Sequence, residues 1–373
     1  ANSAHPLENP TGLTNIVECV GILLVPMATV VMFGRMIGNR RHAAVIYAVS
    51  LLMLAGLTGW AVVTDTGRPN LGLTDRPALV GLQVAGLDKD GNAVTKDVAA
   101  PARAGLPVDQ STGNLEGKEL RFGPSAGATW AAITTCTSNG SVNAMHDSLN
   151  PLAGLAPLTG MWLNCIFGGV GVGLINLLVY LIVGVFLAGL MVGRTPEYLG
   201  KKVEAREMKL AMLALLVHPL MVLGPAGLFA ATGWAEKSAN NPAAHGLSET
   251  LYEFTSASAN NGSGFEGLGD TYGFNDAKAN PSPPAPYALY WDLATGLVML
   301  VSRFVPIIAP LALAASLAAK KPTPFTTGTM RTDTVTFGFV LFGTIVLVGA
   351  LLFLPAAALG PIAEHLGPLP FGG

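Results

Sequence analysis

The sequence predicts an all-α protein that crosses a membrane several times. Three observations carry that prediction. Of 373 residues, 51% are hydrophobic and only 12% are charged, against roughly 25% charged in an ordinary soluble domain. The mean hydropathy is +0.50. The apolar residues are also gathered into long runs, near 14–34, 43–63, 152–193, 210–231, 287–318 and 335–357. Such a composition excludes a disordered chain and argues against a soluble enzyme, because too few charges remain to cover a water-facing surface. A formal net charge of −2 provides no basic field for nucleic acid. Cys19, Cys136 and Cys165 lie far apart, and the six histidines form no H-x-x-x-H pair, so no metal or disulfide framework is predicted.

About 20 apolar residues cross a bilayer core of about 30 Å. Four of the six runs have that length. The run at 152–193 does not: as one helix it would reach about 60 Å. It is therefore predicted to break, at the glycines of F-G-G-V-G-V-G from Phe167 to Gly173. The run at 287–318 is also overlong and carries Pro306 and Pro310.

Lys and Arg set the orientation. One short connection holds Arg35, Arg40 and Arg41; a second holds Arg194, Lys201, Lys202, Arg206 and Lys209; a third holds Lys320, Lys321 and Arg331. All three fall on one side if each run crosses once, and that side reads as cytoplasmic. Segments 64–151 and 232–286 then lie outside with both ends of the chain. The opening stretch, A-N-S-A-H-P-L-E-N-P, has no initiating Met and no charged leader, which predicts processing or a truncated chain.

The outside segments share a pattern. Each ends in a mildly apolar stretch too short to span: Trp130 to Asn143, and Tyr252 to Phe265. At a constant offset Trp130 matches Tyr252, Thr134 matches Ser256, and Asn139-Gly140-Ser141 matches Asn261-Gly262-Ser263. The preceding spans both close on T-G-W, at Thr58 to Trp60 and Thr232 to Trp234. Each unit reads as span, outside segment, half-helix, Gly-containing loop, span, a duplication common in transport proteins. A re-entrant half-helix is tolerated at membrane depth only where it lines a cavity or is buried in protein. Its C-terminal end carries the negative pole of the helix dipole, which suits a cation. Gly140 and Gly262 allow the turn, and turned carbonyls replace an ion's hydration shell. Few carboxylates lie in these loops, which favours a large monovalent ion over calcium or magnesium.

At these residues the chain resembles the potassium-binding A-subunit family of the Kdp potassium-transporting P-type ATPases, part of a superfamily of potassium transporters with four span–pore helix–span repeats. The resembling stretches are Ala1 to Thr11, Gly140 to Ser148 (G-S-V-N-A-M-H-D-S), Phe167 to Leu174, Gly193 to Lys202 (G-R-T-P-E-Y-L-G-K-K), Ala259 to Phe265 and Ser302 to Phe304. The resemblance covers the C-terminal two thirds or so of such a subunit, with the first repeat and most of the second absent. It implies four regions: 1–36, the tail of the second filter and an outer span; 37–200, a third repeat with a large extracellular loop; 201–320, a fourth repeat; and 321–373, a C-terminal span and tail. It implies that outside potassium is selected in a carbonyl-lined filter. The ion then moves through an intramembrane tunnel to an ATP-hydrolysing B subunit, beside a single-span C subunit and a small F subunit. The chain itself would hydrolyse no ATP; K+ is the transported ion and no other cofactor is implied. The location implied is the multi-pass bacterial plasma (inner) membrane.

By the same resemblance Thr137, Ser138, Asn139 and Gly140 belong to the third filter, and Ala259, Asn260, Asn261 and Gly262 to the fourth. Gly168 and Gly169 match an interrupted helix below the filter, a gate. Arg303 matches a membrane-embedded arginine. Asn164 stands where a carboxylate is expected in most relatives, which removes an acidic tunnel-lining role. The segment from Asp65 to Arg121 is more elaborate than the family requires and receives no role.

Several residues admit a plainer account. Arg303 costs at least about 2.5–3.5 kcal/mol in an apolar span; it tunes cation occupancy near the ion path, or partners a buried carbonyl or carboxylate, or snorkels to the interface. Glu18 reads as interfacial or hydrogen-bonded rather than as an ion ligand, and His218 as a satisfied core histidine rather than a proton relay. D-K-D-G at Asp88 to Gly91 departs from a phosphorylation loop and reads as a turn; no G-x-x-x-x-G-K-[ST] loop occurs. The N-G-S sequons are hidden by re-entrant burial. The charged stretch Arg194 to Lys209 sets topology or docks the ATPase subunit. A stand-alone potassium channel-like transporter of the same superfamily is the alternative function. A membrane-embedded hydrolase would need a nucleophile–base or metal constellation in the spans, and the sequence provides none.

Overall fold

The computed structural model describes residues 3–67, 81–87, 93–99, 118, 121–193, 195–241, 243–271, 287–324 and 329–366. Asp88 to Gly91, Arg194 and most of the 65–121 segment lie outside these residues.

The predicted spans form as helices. α1 (Gly12–Met36) starts in a reciprocal cap between Thr11 and Thr14. α2 (Arg40–Val62) starts where the Asn39 side chain accepts from His42 N at 3.0 Å. A short connection between them holds Gly38 at φ 68° and turns α2 back along α1. α5 (Val172–Val192), α6 (Ala205–Thr232), α8 (Ala288–Ala319) and α9 (Val335–Ala357) complete the long elements, with α3, α4 and α7 defined below. Among the described residues, six helices are long and apolar enough to cross a membrane: 12–36, 40–66, 172–192, 205–232, 288–319 and 335–366. Their outward faces carry exposed Leu24, Leu52, Leu220, Leu300 and Leu351. Exposed apolar side chains on this many long helices mark a lipid-facing surface.

The run at 152–193 is broken, as its length requires. α4 (Pro151–Leu163) stops eight residues before α5 begins. The break opens at Asn164, three residues before the glycine run, because Asn164 takes φ 44°; Phe167, Gly168 and Gly171 follow at 61°, 56° and 87°. Asn tolerates the left-handed region better than other side chains. The run at 287–318 instead remains one 32-residue helix through Pro306 and Pro310.

Two shorter helices lie among the long ones. α3 (Pro124–Cys136) packs on α2 and α4, and α7 (Ala243–Ala259) on α6 and α8. At 13 and 17 residues they reach about 20 and 26 Å, short of a bilayer core. Most residues of both are buried. The T-G-W motifs close their spans differently: Gly59 stays inside α2, whereas Gly233 takes φ 72° and ends α6.

Among the described residues three apolar clusters hold the helices together, the smallest an alanine-rich one of Ala61, Ala128, Ala132, Leu149 and Ala153 between α2, α3 and α4; the other two are larger. One gathers Ile46, Leu181, Leu215, Leu341 and Ile345. The other lies around α7, where Trp162 stacks on Phe353 at 5.0 Å and Phe229 meets Trp291 at 4.4 Å. Strand content is small: β1 (Gly81–Leu87) pairs antiparallel with β2 (Ala93–Ala99), and β3 (Glu197–Tyr198) with β4 (Lys201–Lys202). The ends of the long outside segment are tied down. Lys118 Nζ lies 2.9 Å from buried Asp65 Oδ1, which also accepts from Asn150 N at 2.9 Å.

Candidate functional site

The two half-helices end in loops built by the same hydrogen bonds. Ser138 and Asn260 take φ 51° and 52°, and Gly140 and Gly262 take 86° and 104°. Asn139 N donates to Thr134 O, and Asn261 N to Ser256 O, both at 2.9 Å. Gly140 N reaches the Thr134 hydroxyl at 3.0 Å, and Gly262 N the Ser256 hydroxyl at 3.1 Å. Asn139 Oδ1 accepts from Ser141 N at 3.1 Å; Asn261 Oδ1 accepts from Ser263 N at 2.9 Å. The flanking aromatics hold the same serines: Trp130 Nε1 donates to Ser141 O at 2.9 Å, and Tyr252 Oη meets Ser263 Oγ at 2.9 Å. Thr or Ser is needed in the half-helix to accept the glycine amide. Asn is needed to fold its amide oxygen back onto the following residue, an Asx turn.

The loops touch each other. Asn261 Nδ2 donates to Thr134 O at 2.9 Å. A Cβ on Gly140 would stand 1.9 Å from Asn261 O, whereas one on Gly262 would meet nothing within 4 Å. Glycine at 140 is therefore required twice, for its φ and for this approach. Ser3 N donates to Val142 O at 3.1 Å, placing the start of the chain against the first loop. Among the described residues, the carbonyl oxygens of Ser138, Asn139, Gly140, Asn260, Asn261 and Gly262 accept no hydrogen bond. Unpaired carbonyls at the negative ends of two helices are suited to a cation.

The broken segment lies against the first loop. Ser138 Oγ donates to Asn164 Oδ1 at 2.8 Å, Gly168 N to Cys136 O at 3.0 Å, and Asn176 Nδ2 to Asn164 O at 2.9 Å. Gly168 packs so closely on Gly173 that a Cβ would lie 2.2 Å from its Cα. A cavity of about 270 Å3 is lined by Ser138, Asn164, Gly169, His218, Asn260 and Arg303. A second, of about 500 Å3, is lined by Asn260, Asn261, Gly262 and again Arg303. Asn260 and Arg303 thus border both spaces. Arg303 is exposed and makes no ion pair or hydrogen bond among the described residues.

The structure brings all twelve candidate residues into one region. Thr137 hydroxyl is turned back to Ile133 O at 2.8 Å, and Ala259 is buried at the end of α7. His218 is satisfied on both ring nitrogens. A carbonyl only accepts, so Nε2 donates to Met161 O at 3.0 Å; Nδ1 meets Ser258 Oγ at 2.7 Å, which meets Ser302 Oγ at 2.9 Å. Glu18 accepts from Ser3 Oγ.

Sequence reasoning missed three carboxylates. Glu253, Glu266 and Asp270 line the second cavity beside the second loop. Burial pushes the Glu266 carboxyl up to about 8, and burial likewise raises Asp270. The signal available was an acidic residue, Glu253, inside a half-helix that otherwise buries nearly every side chain.

Residues 1–366 match the family model described as KdpA, potassium-transporting ATPase A subunit. Three curated relatives are each called potassium-transporting ATPase potassium-binding subunit. The one from Geobacillus kaustophilus is 43% identical over 366 residues, that from Parabacteroides distasonis 46% over 378, and that from Flavobacterium johnsoniae 42% over 381. Each alignment covers 98% of this chain but only 57–58% of the relative, so the chain spans somewhat under three fifths of their length.

Proposed function

The chain belongs to the family of potassium-transporting ATPase A subunits, and we propose that it selects potassium at the outer side of a bacterial plasma membrane and delivers it to an ATP-hydrolysing partner. The observation that carries this is the matched pair of Asn-Gly-Ser loops, with free carbonyls at the ends of two buried half-helices. Residues Thr137 to Gly140 and Ala259 to Gly262 are two sides of a carbonyl-lined filter for K+. The region 37–200 is one span–pore helix–span repeat and 201–320 the next, with 1–36 contributing an adjoining span and 321–373 a last span and tail.

An ion leaving the loops enters the space bordered by Asn164, Gly169 and Arg303. Asn164 is uncharged and offers its carbonyl side to Ser138, so this space holds no carboxylate at that position to trap the ion. The Gly168–Gly173 contact closes the segment beneath the loop and serves as a gate. Arg303 repels a second cation from the same space. The partners are a B subunit that hydrolyses ATP, a single-span C subunit and a small F subunit. Orientation follows the basic connections, with both ends of this chain outside.

The experiment uses the full-length gene co-expressed with its neighbours. The complex is purified through this subunit, and ATP hydrolysis is measured against potassium and sodium. Hydrolysis stimulated selectively by potassium is expected. A subunit that purifies without an ATPase, yet passes potassium down its gradient in liposomes, would instead mark a stand-alone transporter.

A further inference from the structure

The densest group of buried ionisable side chains outside the loops lies where α7 begins. His245, 6% exposed, places Nε2 2.6 Å from Asp147 Oδ1 and Nδ1 2.7 Å from Glu364 Oε1. An ionised carboxylate accepts and does not donate, so both ring nitrogens carry protons and the ring is an imidazolium. Glu249, one turn along α7, stands 4.0 Å from the same ring. Its carboxyl accepts from Asn240 N, Asn241 N and Asn241 Nδ2 at 2.8, 3.0 and 2.9 Å, while burial and the neighbouring Asp147 push its pKa up to about 7. Phe265 stacks on the imidazole at 5.9 Å and 14°.

These groups come from three distant segments. Asp147 belongs to the A-M-H-D-S stretch that leaves the first loop. His245 opens the half-helix that carries the second loop. Glu364 lies in the short helix Ala363–Leu366 that ends the last span. Asp147 N also donates to Glu266 Oε2 at 3.2 Å, and Glu266 leaves the second loop. The two strands departing from the loops are therefore bridged here.

We infer that His245 is a positioning residue for cation selection: its imidazolium ties the exit of the first loop, the start of α7 and the end of the last span into one corner that fixes the spacing of the two loops. The inference rests on the filter assignment proposed above. The spacing has no slack, because a single Cβ at Gly140 would already lie 1.9 Å from Asn261 O. A shift of α7 along its axis moves Asn261 and strains that contact or opens it. Burial works against the charge on His245, yet the bonds to Asp147 and Glu364 hold its pKa up to about 10, so the clamp stays closed at neutral pH. Removing the cation takes from Asp147 and Glu364 the positive charge that both of them bond at this corner.

The test uses the full-length subunit in its complex. His245→Gln is compared with wild type for the potassium concentration giving half-maximal ATP hydrolysis, for the maximal rate, and for competition by sodium and rubidium. The half-saturating concentration is expected to rise roughly five-fold or more, with weaker discrimination and a largely retained maximal rate. A lower melting temperature with unchanged affinity and discrimination overturns the inference, since that is all a purely structural ion cluster produces. If His245→Gln does not assemble, Glu364→Gln, which keeps the Asp147 pair, is judged by the same criterion. Gly140→Asp serves as the control. If it alters discrimination while the clamp variants do not, only the clamp fails; if neither does, the filter assignment fails with it.

Discussion

The side-chain amide of Asn261 donates to the main-chain carbonyl of Thr134 across 2.9 Å, joining the second loop to the half-helix of the first. The same Asn261 holds its own loop, because Oδ1 accepts from Ser263 N at 2.9 Å and from Ser263 Oγ at 2.5 Å. One side chain thus sets both the shape of one loop and its distance from the other.

Asn261→Ala removes all three bonds and orphans the buried Ser263 N, at about 1–3 kcal/mol, while Thr134 O keeps Asn139 N and Ser263 Oγ keeps Tyr252 Oη. The expected result is a lower melting temperature of the purified complex together with weaker apparent potassium affinity. Retained affinity in a destabilised complex would separate the loop's shape from ion selection.

The two glycines are expected to differ. Gly262→Ala meets open space and incurs only backbone strain, about 1–3 kcal/mol. Gly140→Ala also collides with Asn261 O, so it should lower expression and potassium affinity far more. Aspartate at either position should let other cations compete. Ion-competition assays on both pairs check this, and equal effects at the two sites would contradict the asymmetry.

Arg303→Gln is expected to impair transport more than assembly, because Arg303 borders both cavities and pairs with no described side chain. Complex yield by gel filtration and potassium-dependent turnover are measured together. Normal turnover in a well-assembled complex would leave Arg303 a structural role.

Glu266 gives a pH dependence whose sign is fixed. Its pKa lies above the ordinary carboxylate value, at about 8, so the folded state binds this proton more tightly than the unfolded state. Stability from this group therefore falls as pH rises from about 4.5 towards 8 and stays low above it. Glu266→Gln keeps an acceptor for Asp147 N and removes the ionisation. It should raise the melting temperature at pH 9 relative to wild type and change it little at pH 5. A parallel shift at both pH values would deny that Glu266 ionises in a buried place.

The spans were legible because lipid demands about 20 apolar residues in sequence, and helix ends follow those runs closely. The break before α5 was legible from length, although its first residue, Asn164, was not: a single Asn in an apolar run carries no signal of φ 44°. The loop pair was legible because N-G-S recurs with Thr134 and Ser256 at one spacing, and those hydroxyls turn out to receive the glycine amides. The likeness of the T-G-W motifs did not survive, since Gly59 is helical and Gly233 is a left-handed cap. The His245 corner was not legible at all. Its partners lie 98 and 119 residues away, and no local period links residues at such separations. The carboxylates beside the second loop escaped for a different reason: Glu266 and Asp270 follow the loop closely, but only the folded chain shows them turned back onto its cavity.

The most direct measurement is anomalous diffraction from the full-length complex soaked with rubidium or thallium, which replace potassium. An ion is predicted between the backbone oxygens of Thr137 to Gly140 and those of Ala259 to Gly262, lost in Gly140→Asp. An ion bound elsewhere, with these loops empty at saturating concentration, would contradict the account.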